Sequence, residues 1–76
     1  MTEKRPFDLL NSSLNKTVII GLKEKVLVRG IMVSYDVHMN IVLEKAELLN
    51  EDNSVKQGLG KALIRGDNIV YISPSE

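Results

Sequence analysis

The sequence predicts a mainly β domain: a short N-terminal α-helix, then five strongly bent antiparallel strands curled into a small open barrel. Three observations predict it. Short β-branched runs recur along the chain, separated by charged or polar turn residues. A glycine, Gly30, interrupts the longest run, and glycine inside a strand marks a bulge or bend that lets a small sheet curl. Apolar residues at helical spacing are confined to the segment ending at Leu14.

The helix is expected over residues 5–14. Pro6 suits a first helical position, Asp8 complements the helix dipole in the first turn, and Phe7, Leu10 and Leu14 form an apolar stripe for docking on a sheet. Residues 1–4 read as a flexible tail. Thr17 to Leu22 is the first strand, followed by the charged turn Lys23-Glu24-Lys25. Val26 to Tyr35 is the second strand, with Val26, Val28 and Met32 alternating with Leu27, Arg29, Ile31 and Val33 around Gly30. The third strand runs from Asn40 to Leu49, with Ile41 and Leu43 on one side and Val42, Ala46 and Leu48 on the other. Residues 50–58 read as a variable polar loop. Gly60 to Ile64 is the fourth strand and Ile69 to Ser73 the fifth, stopped by Pro74.

Seventy-six residues make a single domain, 1–76, and a chain this short buries too little surface to be stable alone without a staple. It has no cysteine for disulfides and no Cys/His cluster for a structural metal, which leaves oligomerisation. The residues call for no cofactor. No apolar h-region follows the N-terminal charges and no apolar run approaches the roughly 20 residues of a membrane span, so a cytoplasmic protein is expected. Ten basic residues balance ten acidic ones. That neutrality argues against tight, sequence-independent coating of a long nucleic acid, where phosphate neutralisation shows as a basic excess.

Chemistry concentrates in two turns between strands, Asp36-Val37-His38-Met39-Asn40 and Ile64-Arg65-Gly66-Asp67-Asn68. They offer an imidazole, an amide with donor and acceptor sides, a planar guanidinium, and carboxylates to hold these groups still. Such a set suits a flat, hydrogen-bonding ring, such as an unstacked base of single-stranded RNA whose edge is read.

The pairing resembles the two-part signature of the Sm and Sm-like (LSm) family. Asp36-Val37-His38-Met39-Asn40-Ile41-Val42-Leu43 is similar to the end of the first Sm motif, within 17–49, and Ile64-Arg65-Gly66-Asp67-Asn68-Ile69 to the core of the second, within 59–74. The resemblance spans about Arg5 to Pro74, and His38 in its slot is similar to the archaeal branch. It implies the SH3-like Sm fold, with the last two strands at the sheet edges. It also implies a homo-oligomeric ring, most familiar with seven subunits, in which the fourth strand of one subunit pairs with the fifth of the next. In such a ring one arginine per subunit becomes a band of positive charge at the pore.

The resemblance implies that Asn40 reads the edge of uracil while His38 and Arg65 sandwich the ring; the bland alternatives are a turn-capping amide and two solvated loop residues. Gly66 is consistent with a tight turn at positive φ that fixes Arg65. Asp67 is expected to brace Asn40 or Arg65, Asp36 to orient its own loop, and Met39 and Ile41 to pack in the core or pore wall. Tyr35, ending a strand, reads as packing.

The leading reading is a ring binding U-rich single-stranded RNA, one base per subunit, as scaffold or chaperone in RNA processing or turnover, with RNA-processing proteins as further partners. The alternative is a ring whose important surfaces bind protein, which neutrality favours. A nuclease using His38 as base lacks a second acid/base and a carboxylate cluster for two metals, so the chain is not read as an enzyme.

Overall fold

The computed structural model describes residues 6–74. Helix α1 (Pro6–Ser13) precedes β1 (Thr17–Leu22), a 3-10 turn (Lys23–Lys25), β2 (Val26–Tyr35), β3 (Ile41–Leu49), β4 (Val55–Ile64), a second 3-10 turn (Gly66–Asn68) and β5 (Ile69–Pro74). The tail expected at residues 1–4, and Arg5, lie outside the described residues. The strands form one antiparallel sheet in the order β4-β3-β2-β1-β5. The first four are a meander, and β5 returns to pair with β1, Ile20 opposite Ile72 and Gly21 opposite Tyr71. The last two strands therefore lie at the two edges, as expected.

The helix stops where Asn15 takes a left-handed conformation (φ 64°), a common helix ending because Asn tolerates it. The same residue ties the helix to the sheet: its N–H donates to the Met32 carbonyl (2.6 Å), and the Met32 N–H donates to the Lys16 carbonyl (3.1 Å). Leu10 is buried and Leu14 packs against the core from its margin. Phe7 departs from the expected stripe. It is 45% exposed and its ring stacks on Tyr35, centroids 6.0 Å apart, while the Tyr35 hydroxyl donates to Asn11 Oδ1. The aromatic pair clamps helix to sheet at the rim instead of filling the core.

The core is lined by Val18 and Ile20 of β1, Val28 and Met32 of β2, Ile41, Leu43 and Ala46 of β3, and Ile64 of β4. Removing such side chains from water supplies about 1.5–3 kcal/mol each, the main force holding the sheet in its curl. The curl has local causes. A Cβ on Gly30 would lie 3.1 Å from Ala46 Cα and 3.2 Å from the Glu44 carbonyl, so β2 and β3 approach there more closely than a larger residue accepts without a shift of the backbone. The pairing register shifts at the same point, between Arg29 and Ile31.

Two expectations need correction. Ala46 is buried with Ile41 and Leu43, not on the opposite side, because Lys45 sits at φ 52° and inserts a bulge that inverts the alternation. The 50–58 loop is shorter than its polar composition suggests. β4 begins at Val55, with Val55 opposite Leu49, Gln57 opposite Leu48 and Gly58 opposite Glu47, leaving Asn50 to Ser54 as the turn. Polar composition there reflects an exposed edge strand: every residue from Asn50 to Lys61 is exposed.

Candidate functional site

Residues 36–40 turn the chain from β2 into β3. The Met39 N–H donates to the Asp36 carbonyl (2.9 Å), the Asp36 N–H donates to the Asn40 carbonyl (3.2 Å), and Met39 is left-handed at φ 66°. This is a tight turn closed by a left-handed residue, a common hairpin connection. Met39 is an unusual occupant, since the left-handed conformation costs a side-chain-bearing residue about 1–2 kcal/mol. Its side chain is half-buried against the core, which offsets that strain. Neighbouring Ile41 is fully buried, so both residues pack as expected.

Asp36 organises the turn through its carboxylate. Oδ1 accepts the N–H groups of His38 (2.9 Å) and Asn40 (3.1 Å), and Oδ2 accepts the Asn40 side-chain Nδ2 (3.1 Å). These bonds, that of the Asn40 backbone N–H foremost, hold the Asp36 carboxyl below its ordinary pKa of 3.8, with the nearby imidazole adding to the effect.

Residues 65–68 join the two edge strands. The turns are linked by the Gly66 N–H, which donates to Asn40 Oδ1 at 2.8 Å. Gly66 is required there by proximity and not, as expected from its turn position, by positive φ. A Cβ on it would collide with the His38 carbonyl oxygen and come within 2.9 Å of the Met39 carbonyl. Gly60 is the glycine that takes positive φ (69°).

The structure thus brings His38, Met39, Asn40, Arg65, Gly66 and Asp67 to one open cavity of about 560 Å³. His38 is exposed and Asn40 half-buried. Arg65 is exposed, and its Nε lies 3.9 Å from Asp67 Oδ1, with both side chains more than 70% accessible. A pair so open to water contributes little, so Arg65 is held loosely. The bracing role expected of Asp67 toward Asn40 belongs to Asp36 and the Gly66 N–H instead. Two features escaped the sequence reading. Met39 hides a left-handed position, since Asn or Gly is its usual signal. The Lys23–Lys25 turn comes beside the second site loop, where Leu22, Lys23, Glu24, Val26 and Asn68 wall a cavity.

A small, strongly bent antiparallel sheet with free edge strands, carrying two loops joined through an asparagine and a glycine, defines an Sm-type domain. The chain matches the LSM domain over residues 8–74. It therefore belongs to the Sm/LSm family. It is 50% identical over 70 residues to an Sm-like protein of Methanococcoides burtonii, covering 92% of this chain and 96% of that one. Among solved structures it is similar to the Sm protein of Pyrococcus abyssi, which was determined in complex with a uridine heptamer (TM-score 0.89, 42% identity, 95% of this chain and 100% of that one). It is also similar to the SmAP1 heptamer of P. aerophilum (TM-score 0.87, 32% identity, 99% of each chain).

Proposed function

We propose that this chain assembles into a ring of identical subunits, seven by analogy with the heptameric relative, and binds U-rich single-stranded RNA at the inner pore, one base per subunit. One observation carries the reading. The 2.8 Å bond from Gly66 to Asn40 joins two loops that are distant in sequence, and these loops bring an amide, an imidazole and a guanidinium to one open cavity. The relative solved with a uridine heptamer supports the choice of base. In this reading the base stacks between His38 and Arg65 while Asn40 engages its edge. Stacking contributes about 1–3 kcal/mol per base, so weak pockets on several subunits sum to strong binding of one strand.

Ring formation draws on the sheet edges. Leu63 on β4 is 64% exposed, as is Val70 on β5, and Tyr71 is 50% exposed. Apolar edge strands of this kind are templates for pairing with another chain. No helix among the described residues is long and apolar enough to cross a membrane. A cytoplasmic scaffold or chaperone in RNA processing or turnover, working by binding and without catalysis, accounts for these features.

Titration with oligo(U) and oligo(C), with native mass spectrometry to count subunits, tests the proposal. The unmodified ring is expected to prefer oligo(U), and Asn40→Ala to lose that preference, because stacking alone accepts any base. The second reading, a ring that serves protein partners, is favoured by the zero net charge. It predicts no affinity for either oligonucleotide. A well-folded monomer at micromolar concentration would refute both.

A further inference from the structure

Away from the two site loops, one turn is built against its own backbone preference. Leu22 pairs with Val26, so Lys23, Glu24 and Lys25 make the whole connection between β1 and β2. Glu24 and Lys25 are both left-handed, at φ 63°. Two successive left-handed residues are the usual place for Asn-Gly, because most other side chains are disfavoured there. All three side chains are exposed, so no burial offsets the strain. Among the described residues neither lysine has an ion-pair or side-chain hydrogen-bond partner. Charge kept on a strained, solvated turn serves neither the turn nor the core, and that makes the turn a candidate for contact with a ligand.

The turn opens onto a cavity of about 530 Å³ whose walls include Gly21, Lys23, Glu24, Lys25, Glu51 and Tyr71. None of these residues lines the cavity shared by His38, Asn40 and Arg65. Tyr71 stands opposite Gly21 across the β1–β5 pair, on the face away from the core pair Ile20 and Ile72. Its ring fills the place of the missing side chain, since a Cβ on Gly21 would collide with Cε2 and Cζ of the ring. An aromatic laid over a strand glycine is a common cover for bare backbone, and alone it points to no ligand. Here the tyrosine stays 50% exposed, and two unpaired ammonium groups stand at the same cavity. Pairing along the β5 edge uses backbone groups, so a ring turned back over β1 remains open when that edge is joined.

An aromatic face beside cations suits a nucleotide, with the base stacked on the ring and the phosphate on the ammonium groups. Glu24 and Glu51 at the same cavity bear on the choice of base, because a carboxylate accepts hydrogen bonds and donates none. Uracil has no amino group to offer them, whereas adenine and guanine each carry one and present two fused rings to the stack. We infer that this cavity is a second nucleotide site, taking a purine of single-stranded RNA on Tyr71 with its phosphate on Lys23 and Lys25. The site goes beyond the proposed U-binding pore, from which it differs in place and in base. The strained turn then has a reason: Asn-Gly would fold more easily but would carry no charge to the cavity.

The test titrates labelled oligo(A) into the assembled protein already saturated with oligo(U). Oligo(A) is expected to bind as an additional ligand, more weakly as salt rises. Competition between the two without a ternary complex overturns the inference. Lys25→Gly is the telling variant, since glycine accepts φ 63° freely. Its thermal midpoint should rise and its affinity for oligo(U) should stay as it was. Its affinity for oligo(A) should fall about fivefold, with a salt slope shallower by about 1. A lower midpoint would show that the lysine serves the fold, and an unchanged oligo(A) affinity that it meets no phosphate; either result overturns the inference. Tyr71→Leu keeps an apolar cover on Gly21 without an aromatic face, and it too should lose oligo(A). If that edge-strand variant does not fold, Lys25→Gly still decides. Failure of the wild-type protein to bind oligo(U) refutes the pore reading alone, and oligo(A) with Lys25→Gly then judges this site by itself.

Discussion

The turns at 36–40 and 50–54 share one backbone and use it differently. In each, the fourth residue donates its N–H to the carbonyl of the first, and the first donates to the carbonyl of the fifth. In each the fourth residue is left-handed, Met39 at φ 66° and Asn53 at φ 71°. In each an aspartate accepts backbone N–H bonds, Asp36 from His38 and Asn40, Asp52 from Ser54. The difference is what surrounds them. Asp52 also receives the Ser54 hydroxyl and closes a turn that stands in solvent, with Asn53 in a conformation Asn accepts readily. The 36–40 turn puts a methionine where the backbone is strained and is bonded to a second loop through Asn40. Turn geometry alone therefore makes no site. Strain held by packing, together with a bond to a distant segment, distinguishes the turn of the proposed site from the plain one.

The largest expected effect breaks the bond between loops. Gly66→Ala drives a methyl group into the His38 carbonyl, and overpacking against backbone that cannot swing aside costs about 3 kcal/mol, the upper end of the usual range. Oligo(U) binding should vanish with it. Gly58→Ala is the matched change beside the plain turn. Nothing lies within 4 Å of its added methyl, so chemical denaturation should show no loss of stability.

Exchanging aspartates sharpens the contrast. Asp36→Ala should lower the thermal midpoint and abolish the preference for U, because Asn40 and two backbone N–H groups lose their acceptor. Asp52→Ala should lower the midpoint less and leave RNA binding unchanged.

The strain at position 39 can be read from a pair of variants. Both Met39→Ala and Met39→Gly lose the half-buried side chain, but only glycine relieves the left-handed backbone. The glycine variant should be the more stable by about 1 kcal/mol, the reverse of the usual order within strands. At position 53 Asn→Gly should stay within about 0.5 kcal/mol of the parent.

The smallest effect is on pH. Both carboxyls are held below 3.8, Asp36 chiefly by the Asn40 backbone N–H and Asp52 chiefly by the Ser54 hydroxyl. A folded-state pKa depressed in this way stabilises the protein above about 3.8, and the contribution disappears as pH falls through the lower folded value. Stability measured from pH 7 downward should be flat with respect to these two groups until about pH 4, then decline. In Asp36→Asn and Asp52→Asn the decline should be shallower.

Much of this was readable in the residues. β-branched runs located β1, β2, β3 and β5, Gly30 marked a bend, and the two motif loops named the residues that meet in the cavity. What escaped reading depends on the third dimension. The requirement for Gly66 comes from the carbonyl of His38, twenty-eight positions away, and no local pattern carries that distance. The Lys45 bulge moved Ala46 to the buried face because a left-handed lysine inverts an alternation that sequence spacing assumes to be unbroken. β4 was masked by exposure. An edge strand with glycines and charged residues has the composition of a loop while making the hydrogen bonds of a sheet.

β4 and β5 stand at opposite edges of the sheet. The two edges belong to different strands with different side chains, so in the proposed ring a copy joined edge to edge would present the partner it has not used, and each chain would be a bifunctional monomer. Such monomers either grow without limit or cyclise, and the turning angle between neighbours selects which. Once a chain of copies is long enough for its ends to meet, the last junction forms within one molecule at high effective concentration, and growth ends. For this protein the bend placed at Gly30 and Lys45 would then serve as the terminator of a polymerisation, fixing a finite product without any capping subunit.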